Sequence, residues 1–213
     1  TGFILLGAAA TFAVTGLLSR TVLRGVPSSF TLELPPYRRP QWRQVIVRSV
    51  FDRTLFVLAR AVKAAAPAGL LLWLMANLTI GGSTILAHCA GFLEPAGRAL
   101  GMDGVILLAF LLGLPANEIV VPIMLMGYLS QGVLQQPEGL AQMQGVFLAN
   151  GWTPVTALCV MLFMLMHWPC ATTLMTIRKE TGSLKWTLLA AALPTLCGTL
   201  ACLLVNGLYQ LAA

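Results

Sequence analysis

Apolar residues in this chain come in long blocks rather than in alternation. Thr1 to Ser19, Ala64 to Leu78, Val105 to Leu129, Pro154 to Ile177 and Leu184 to Leu208 are each apolar over most of their length. A helix needs about 20 such residues to cross a bilayer. No window shows the alternation of a membrane β-barrel. The pattern therefore predicts an all-α, polytopic membrane protein. One stretch between the blocks is amphipathic. In Gln41 to Lys63, Val47, Val50, Phe51, Thr54 and Leu58 share one helical face, and Arg48, Asp52, Arg53, Arg60 and Lys63 the other. That predicts a helix over 41–63 lying in the cytoplasmic interface, its basic face at the lipid headgroups. The span over 64–78 follows, with Pro67 near its start, and is just long enough to cross when the last interfacial turns are added.

The block over 154–177 is unlike an ordinary span. Its middle reads His167-Trp168-Pro169-Cys170. Pro169 has no N–H for the carbonyl of Leu165 and its ring clashes there, so the helix is expected to break. Open backbone at membrane depth persists only where protein or a water-filled cavity satisfies it. Broken helices of this kind carry midplane sites in many transporters.

Composition supports the membrane class. The chain has 213 residues, 58% hydrophobic and 9% charged, with mean hydropathy +0.84, against roughly a quarter charged in soluble domains. Net charge is +6, and nine of the thirteen Lys and Arg fall between Arg20 and Lys63. Arg178, Lys179 and Lys185 form a second cluster. Both clusters are expected on the cytoplasmic side, so the positive charge needs no nucleic-acid partner. The chain opens at Thr1 inside an apolar run, which reads as a piece of a longer protein. Its five cysteines form no CxxC pair and are expected as free thiols.

Counting crossings constrains the middle of the chain. The span over 64–78 leads outward and the broken helix ends inside at Arg178-Lys179, so an even number of crossings lies between them. A re-entrant hairpin over 105–129 meets that condition, turning at Gly113-Leu114-Pro115. Pro115 then suits the first turn of the second arm. Asn117 and Glu118 follow in that turn, where the helix dipole favours a carboxylate. The mixed stretch over 79–103 and the Gln- and Gly-rich stretch over 134–151 are placed on the outer side. Arg20 closes a first span, and three prolines make Phe30 to Pro40 extended.

Two groups of residues carry candidate chemistry. Glu118 is an ionisable group inside an apolar block, which usually marks an ion or substrate path; the plainer reading is a helix cap. His167 and Cys170 are spaced i, i+3, and Met166 and Cys170 i, i+4, so a mildly broken helix holds them on one side. Imidazole, thiolate and thioether suit first-row transition metals. Met166, Cys159, Cys197 and Cys202 also read as packing residues, and His167 as a donor to a nearby carbonyl. No enzyme signature such as HExxH, GxSxG or Walker A is present.

Three stretches resemble the bacterial ferrous-iron transporter B family: Phe30-Thr31-Leu32-Glu33-Leu34-Pro35-Pro36-Tyr37-Arg38, Gly113 to Val121, and Trp168 to Leu174 followed by Ile177 to Trp186. The resemblance runs in order along nearly the whole chain. It implies the C-terminal membrane part of that permease, with residues 1–40 as the last span and linker before the second gate and 41–213 as that gate. Gates of the family are similar to nucleoside-transporter repeats, which pair a re-entrant hairpin with a partly unwound helix. Many members carry Lys where Asn117 stands, and its loss leaves Glu118 without a ready partner.

The implied function is uptake of Fe2+ through the bacterial cytoplasmic (inner) membrane. Cys170 is then the principal soft ligand, Glu118 a charge-neutralising oxygen ligand, and His167 and Asn117 supporting ligands. The chain itself is no enzyme. GTP and Mg2+ enter only through a GTP-binding domain which, with a first gate, is expected elsewhere in the full protein. Membrane lipid is the surrounding partner, and assembly of several copies is left open. Two alternatives stand beside this reading: a nucleoside or small-solute transporter of the same hairpin architecture, and a membrane module that assembles a partner permease. The topology has a direct test. Single cysteines at Gln136 and Ser183 in intact cells are expected to react with an impermeant thiol reagent at 136 only, and labelling at 183 alone reverses the orientation.

Overall fold

The computed structural model describes residues 1–21, 41–48, 54–129 and 139–212. The extended reading of Phe30 to Pro40, the centre of the amphipathic stretch and residues 130–138 lie outside them. The chain divides into two compact units, Thr1–Val57 and Leu58–Ala213. The division falls within the amphipathic stretch.

The first unit holds helix α1, Gly2–Thr21, and the short helix α2, Trp42–Arg48. None of the α1 residues is buried, and Trp42 and Ile46 of α2 are exposed. Of the expected interfacial helix over 41–63, residues 42–48 are helical as α2 and its centre lies outside the described residues. Helix α3, Phe56–Asn77, takes its last turns and runs on as a single rod past Pro67. Ala64, Ala65 and Ala66 are strong helix formers and nothing near Lys63 breaks the chain, so the expected boundary at 63/64 disappears.

After α3 comes the mixed stretch over 79–103, which the sequence left without regular structure. A two-stranded antiparallel turn, β1 Thr79–Ile80 and β2 Ser83–Thr84, leads into α4, Ile85–Ala99, whose N-cap Thr84 accepts from Ala87 N–H. Helix α5, Gly104–Leu112, leaves α4 at 108°. A turn and a 3-10 segment, Asn117–Ile119, then lead to α6, Val120–Leu129. Helix α7, Leu140–Ala149, precedes α8, Pro154–Met166, and α9, Ala171–Thr181. Helix α10, Leu184–Ala212, closes the described chain. Among the described residues four segments are long and apolar enough to cross a membrane: Gly2–Thr21, Val57–Asn77, Pro154–Thr181 and Leu184–Ala212. The protein is a multi-pass membrane protein, predominantly helical.

The core sits where α5, α6, α8 and α10 meet. Ile106, Phe110, Val120, Met124, Phe163, Cys159 and Cys202 are fully buried there. Phe110 packs edge-on against Phe163 with ring centroids 4.8 Å apart.

The corner between α4 and α5 is built from helix-end chemistry. The first N–H groups of a helix have no partner within it. At α5 two of them are taken by carboxylates: Gly104 N–H donates to Glu94 Oε2 at 2.7 Å and Ile106 N–H to Asp103 Oδ1 at 2.7 Å. Negative charge at that end also suits the dipole. At the end of α4, the carbonyls of Arg98 and Ala99 accept from Asn206 Nδ2 of α10 at 3.0 and 2.9 Å. Arg98 pairs back to Glu94 at 2.8 Å. The helices approach closely enough that a Cβ on Gly104 would lie 1.9 Å from the Ala90 carbonyl oxygen. Gly104→Ala must therefore push backbone apart. It is expected to lower the melting temperature in detergent far more than Gly91→Ala on the open side of α4, where a Cβ meets nothing; equal melting temperatures would refute the close packing.

Candidate functional site

The break in the long span is where the sequence placed it. Helix α8 ends at Met166, and α9 starts at Ala171 with Cys170 as its N-cap. His167 is extended, with φ −90° and ψ −178°. Trp168 precedes a proline, which disfavours the helical region there. Pro169 supplies no donor. The break therefore leaves carbonyls exposed at the end of α8 and N–H groups at the start of α9.

The hairpin supplies one partner. Ala171 N–H donates to the carbonyl of Leu114, at the hairpin tip, at 2.8 Å. The end of α5 thus closes the start of α9, two orphan groups satisfying each other. The tip is tight because of Gly113, where a Cβ would lie 2.4 Å from Val120 Cγ2. Pro115 is not in the first turn of the second arm as expected. Ala116 caps the 3-10 segment, so Pro115 belongs to the turn, and Asn117 and Glu118 open the arm.

The four candidate ligands are treated unequally by this junction. Cys170 directly precedes the bonded Ala171, is half-buried, and has its Sγ 3.0 Å from the Thr172 hydroxyl and 3.1 Å from that of Thr173. Glu118, four residues past Leu114, is exposed. Asn117 is half-buried, and its Oδ1 is shielded and without a hydrogen-bond partner. His167 is only 9% exposed. Its ring packs 5.3 Å from Phe110 and 6.1 Å from Phe163.

His167 Nδ1 lies 2.9 Å from the Met164 carbonyl oxygen. A carbonyl only accepts, so Nδ1 carries the hydrogen and the lone pair of the neutral ring is on Nε2. That nitrogen is buried and unpartnered, as is the Trp168 indole N–H. The expected sharing of one helix face by Met166, His167 and Cys170 does not survive. Helical spacing has no meaning across an extended break, so His167 turns into the aromatic core while Cys170 starts the next helix. Among the described residues no three His, Cys, Asp or Glu side chains gather into a metal-holding cluster. All five cysteines are free.

The base of the hairpin is clipped by residues that sequence reading missed. Tyr128, near the end of α6, donates its hydroxyl hydrogen to Asp103 Oδ2 and accepts from Trp152 Nε1 at 2.8 Å. Trp152 stacks on Phe147 at 4.2 Å. One phenol thus ties both hairpin arms to the residues that lead into α8. Asp103 carried a signal, since Asp before an apolar run is a helix-start pattern. Tyr128 and Trp152 carried none.

Comparison with known proteins bears on the whole arrangement. The family model "Ferrous iron transport protein B C terminus" matches residues 1–52, and "Nucleoside recognition", the gate family, matches residues 58–184. The protein of Staphylococcus aureus (strain COL) named "Fe(2+) transporter FeoB" is 30% identical over 201 residues, covering 89% of this chain and 28% of that protein. The chain belongs to the ferrous-iron transporter B family. Proteins of the same name from Leptospira biflexa and Campylobacter jejuni are each 26% identical, covering 87% and 88% of this chain and 30% and 32% of their own lengths. The chain therefore spans about a third of these ferrous-iron transporter B relatives. No solved structure matches it. Within the family frame, the boundary between the two models, at residues 52–58, coincides with the division between the compact units. The Tyr128 clip belongs to the second model and sets the base of its hairpin.

Tyr128→Phe removes that clip and leaves Asp103 Oδ2 and the Trp152 N–H without it. A lost partner for part-buried groups costs about 1–3 kcal/mol. The variant is expected to melt at lower temperature and to show faster amide exchange at 103–106 and 152–156 than at the tip; an unchanged exchange pattern would dissolve the clip.

Proposed function

We propose that this chain forms part of a route for ferrous iron across the bacterial cytoplasmic (inner) membrane. The observation that carries the reading is the docking of the hairpin tip on the broken helix through the Leu114–Ala171 bond. It sets the Cys170 thiol beside one end of that bond, while Asn117 and Glu118 follow the other end by three and four residues. The names of the relatives support iron as the ion.

In this reading Cys170 is the principal soft ligand and Glu118 the oxygen ligand that offsets the ion's charge. Asn117 contributes through Oδ1 and His167 through Nε2. Thiolate and imidazole suit a first-row divalent ion, and a carbonyl bond to Nδ1–H is the usual way of orienting a ligating histidine. A route differs from a storage site: its ligands must release the ion as readily as they take it. Dispersed ligands that meet the ion in succession fit that need. GTP and Mg2+ act through a GTP-binding domain of the longer protein, with a first gate, lipid and further copies of the chain as partners. A nucleoside route is less well supported: the Asn117 amide and the Thr172 and Thr173 hydroxyls suit a nucleoside, but the Cys170 thiol beside them suits a metal, and the relatives' names favour iron.

Iron uptake by cells carrying the full-length protein, at matched membrane abundance, tests the ligand roles together. Cys170→Ser keeps size but loses softness and is expected to cut uptake strongly. Glu118→Gln is expected to cut it while leaving folding intact, since a mere cap would cost only about 0.3–1 kcal/mol. Cys159→Ser, fully buried on α8, is expected to keep most uptake. Equal uptake in the Cys170 and Cys159 variants would remove the metal from the break.

A further inference from the structure

The hairpin tip faces a second feature besides the break. An apolar groove of about 560 Å³ opens beside it, and its walls include Leu114, Trp168, Leu174, Leu188, Ala192 and Leu196. On α10 the lining residues recur at 188, 191, 192, 195 and 196. That spacing is one helical stripe, about 12 Å long at 1.5 Å per residue. The alanines in the stripe leave it concave.

Both walls end in a cation on the same side. Arg178 lies four residues beyond Leu174 on α9, and Lys185 three residues before Leu188 on α10. Those offsets keep each cation on the groove-lining stripe of its helix. The two helices join through Gly182 in the left-handed conformation, φ 62°, so the two cations share the turn end of the groove. Both are exposed, and among the described residues neither is in an ion pair. Glu180 is the one acidic residue of the turn, against Arg178, Lys179 and Lys185. Trp186, 36% exposed, stands at the same end, and tryptophan is enriched where a span meets the headgroups.

An apolar slot in a spanning segment with a cationic mouth, at a level that Trp186 marks as the headgroup region, matches one ligand chemistry. We propose that the groove between α9 and α10 binds an anionic phospholipid, an acyl chain along Leu174, Leu188 and Leu196 and the phosphate at Arg178 and Lys185. The inference rests on the membrane-spanning fold and not on iron as the transported ion. Its consequence is local: the acyl chain touches Leu114 and Trp168, the tip and the break, so lipid occupancy bears on the bond that joins them.

The full-length protein in phosphatidylcholine nanodiscs tests this, with a minority of brominated phosphatidylglycerol or brominated phosphatidylcholine. Bromine on an acyl chain quenches a tryptophan it touches, and the difference from Trp168→Phe isolates the groove signal. Brominated phosphatidylglycerol is expected to quench Trp168 at the lower mole fraction. Arg178→Gln and Lys185→Gln should each reduce that preference about fivefold. Lys179→Gln, off the stripe, should reduce it less. Inorganic phosphate should not compete. Native mass spectrometry of phosphatidylglycerol retained by wild type and by the Arg178→Gln, Lys185→Gln double variant gives the same comparison with Trp168 intact. Equal quenching by the two lipids, no quenching of Trp168 by either, or an effect of Lys179→Gln as large as that of Arg178→Gln would overturn the proposal.

Discussion

At membrane depth a backbone N–H without a partner has no water to turn to. The hydrogen bond from Ala171 to Leu114 answers that constraint at the point where this chain is most exposed to it. Pro169 ends one helix and forces another to begin in the middle of an apolar span. The new helix starts with unsatisfied donors, and the hairpin tip arrives with an unsatisfied acceptor. Each open end makes the other tolerable, so hairpin and broken helix are a single structural unit rather than two motifs that happen to touch.

The remaining contacts can be read by their distance from that bond. The corner at Glu94, Asp103 and Asn206 sets the direction of α5. The Tyr128 clip sets the spacing of the arms at their base. The Phe110–Phe163 pair fills the space between hairpin and α8. Cys170 is presented by the backbone, as the cap of a helix whose start the tip has closed. The order runs from helix-end chemistry, through packing, to the placement of a thiol.

Much of this was legible in the sequence because proline and glycine act locally. Pro169 announces the break and Gly113 the turn whatever surrounds them. The long apolar blocks announce spans for the same reason. Helices α4 and α7 were not legible, since Gly, Gln and, in α4, charged residues dilute their apolar pattern. That 56–63 runs on into α3 was half legible: the span over 64–78 needed those turns to cross, but amphipathicity shows which face is apolar, not where a helix stops. The candidate ligands were found by residue type, but helical spacing misplaced His167, because it assumes a continuity that the break removes. The relation of Tyr128 to Asp103 and Trp152 spans residues 24 and 25 positions apart, which no local pattern reports.

The bend of 108° between α4 and α5 has a mechanical meaning. With its corner pinned by carboxylates and by backbone packed on backbone, the pair behaves as a bell crank, one arm lying along α4 and the other ending at Leu114. The second arm is about 14 Å long. A tilt of a few degrees about the corner carries its end roughly 1 Å, which is enough to take a hydrogen bond from good geometry to none. A small push on α4 is therefore geared directly to the joint that holds the membrane span closed on itself.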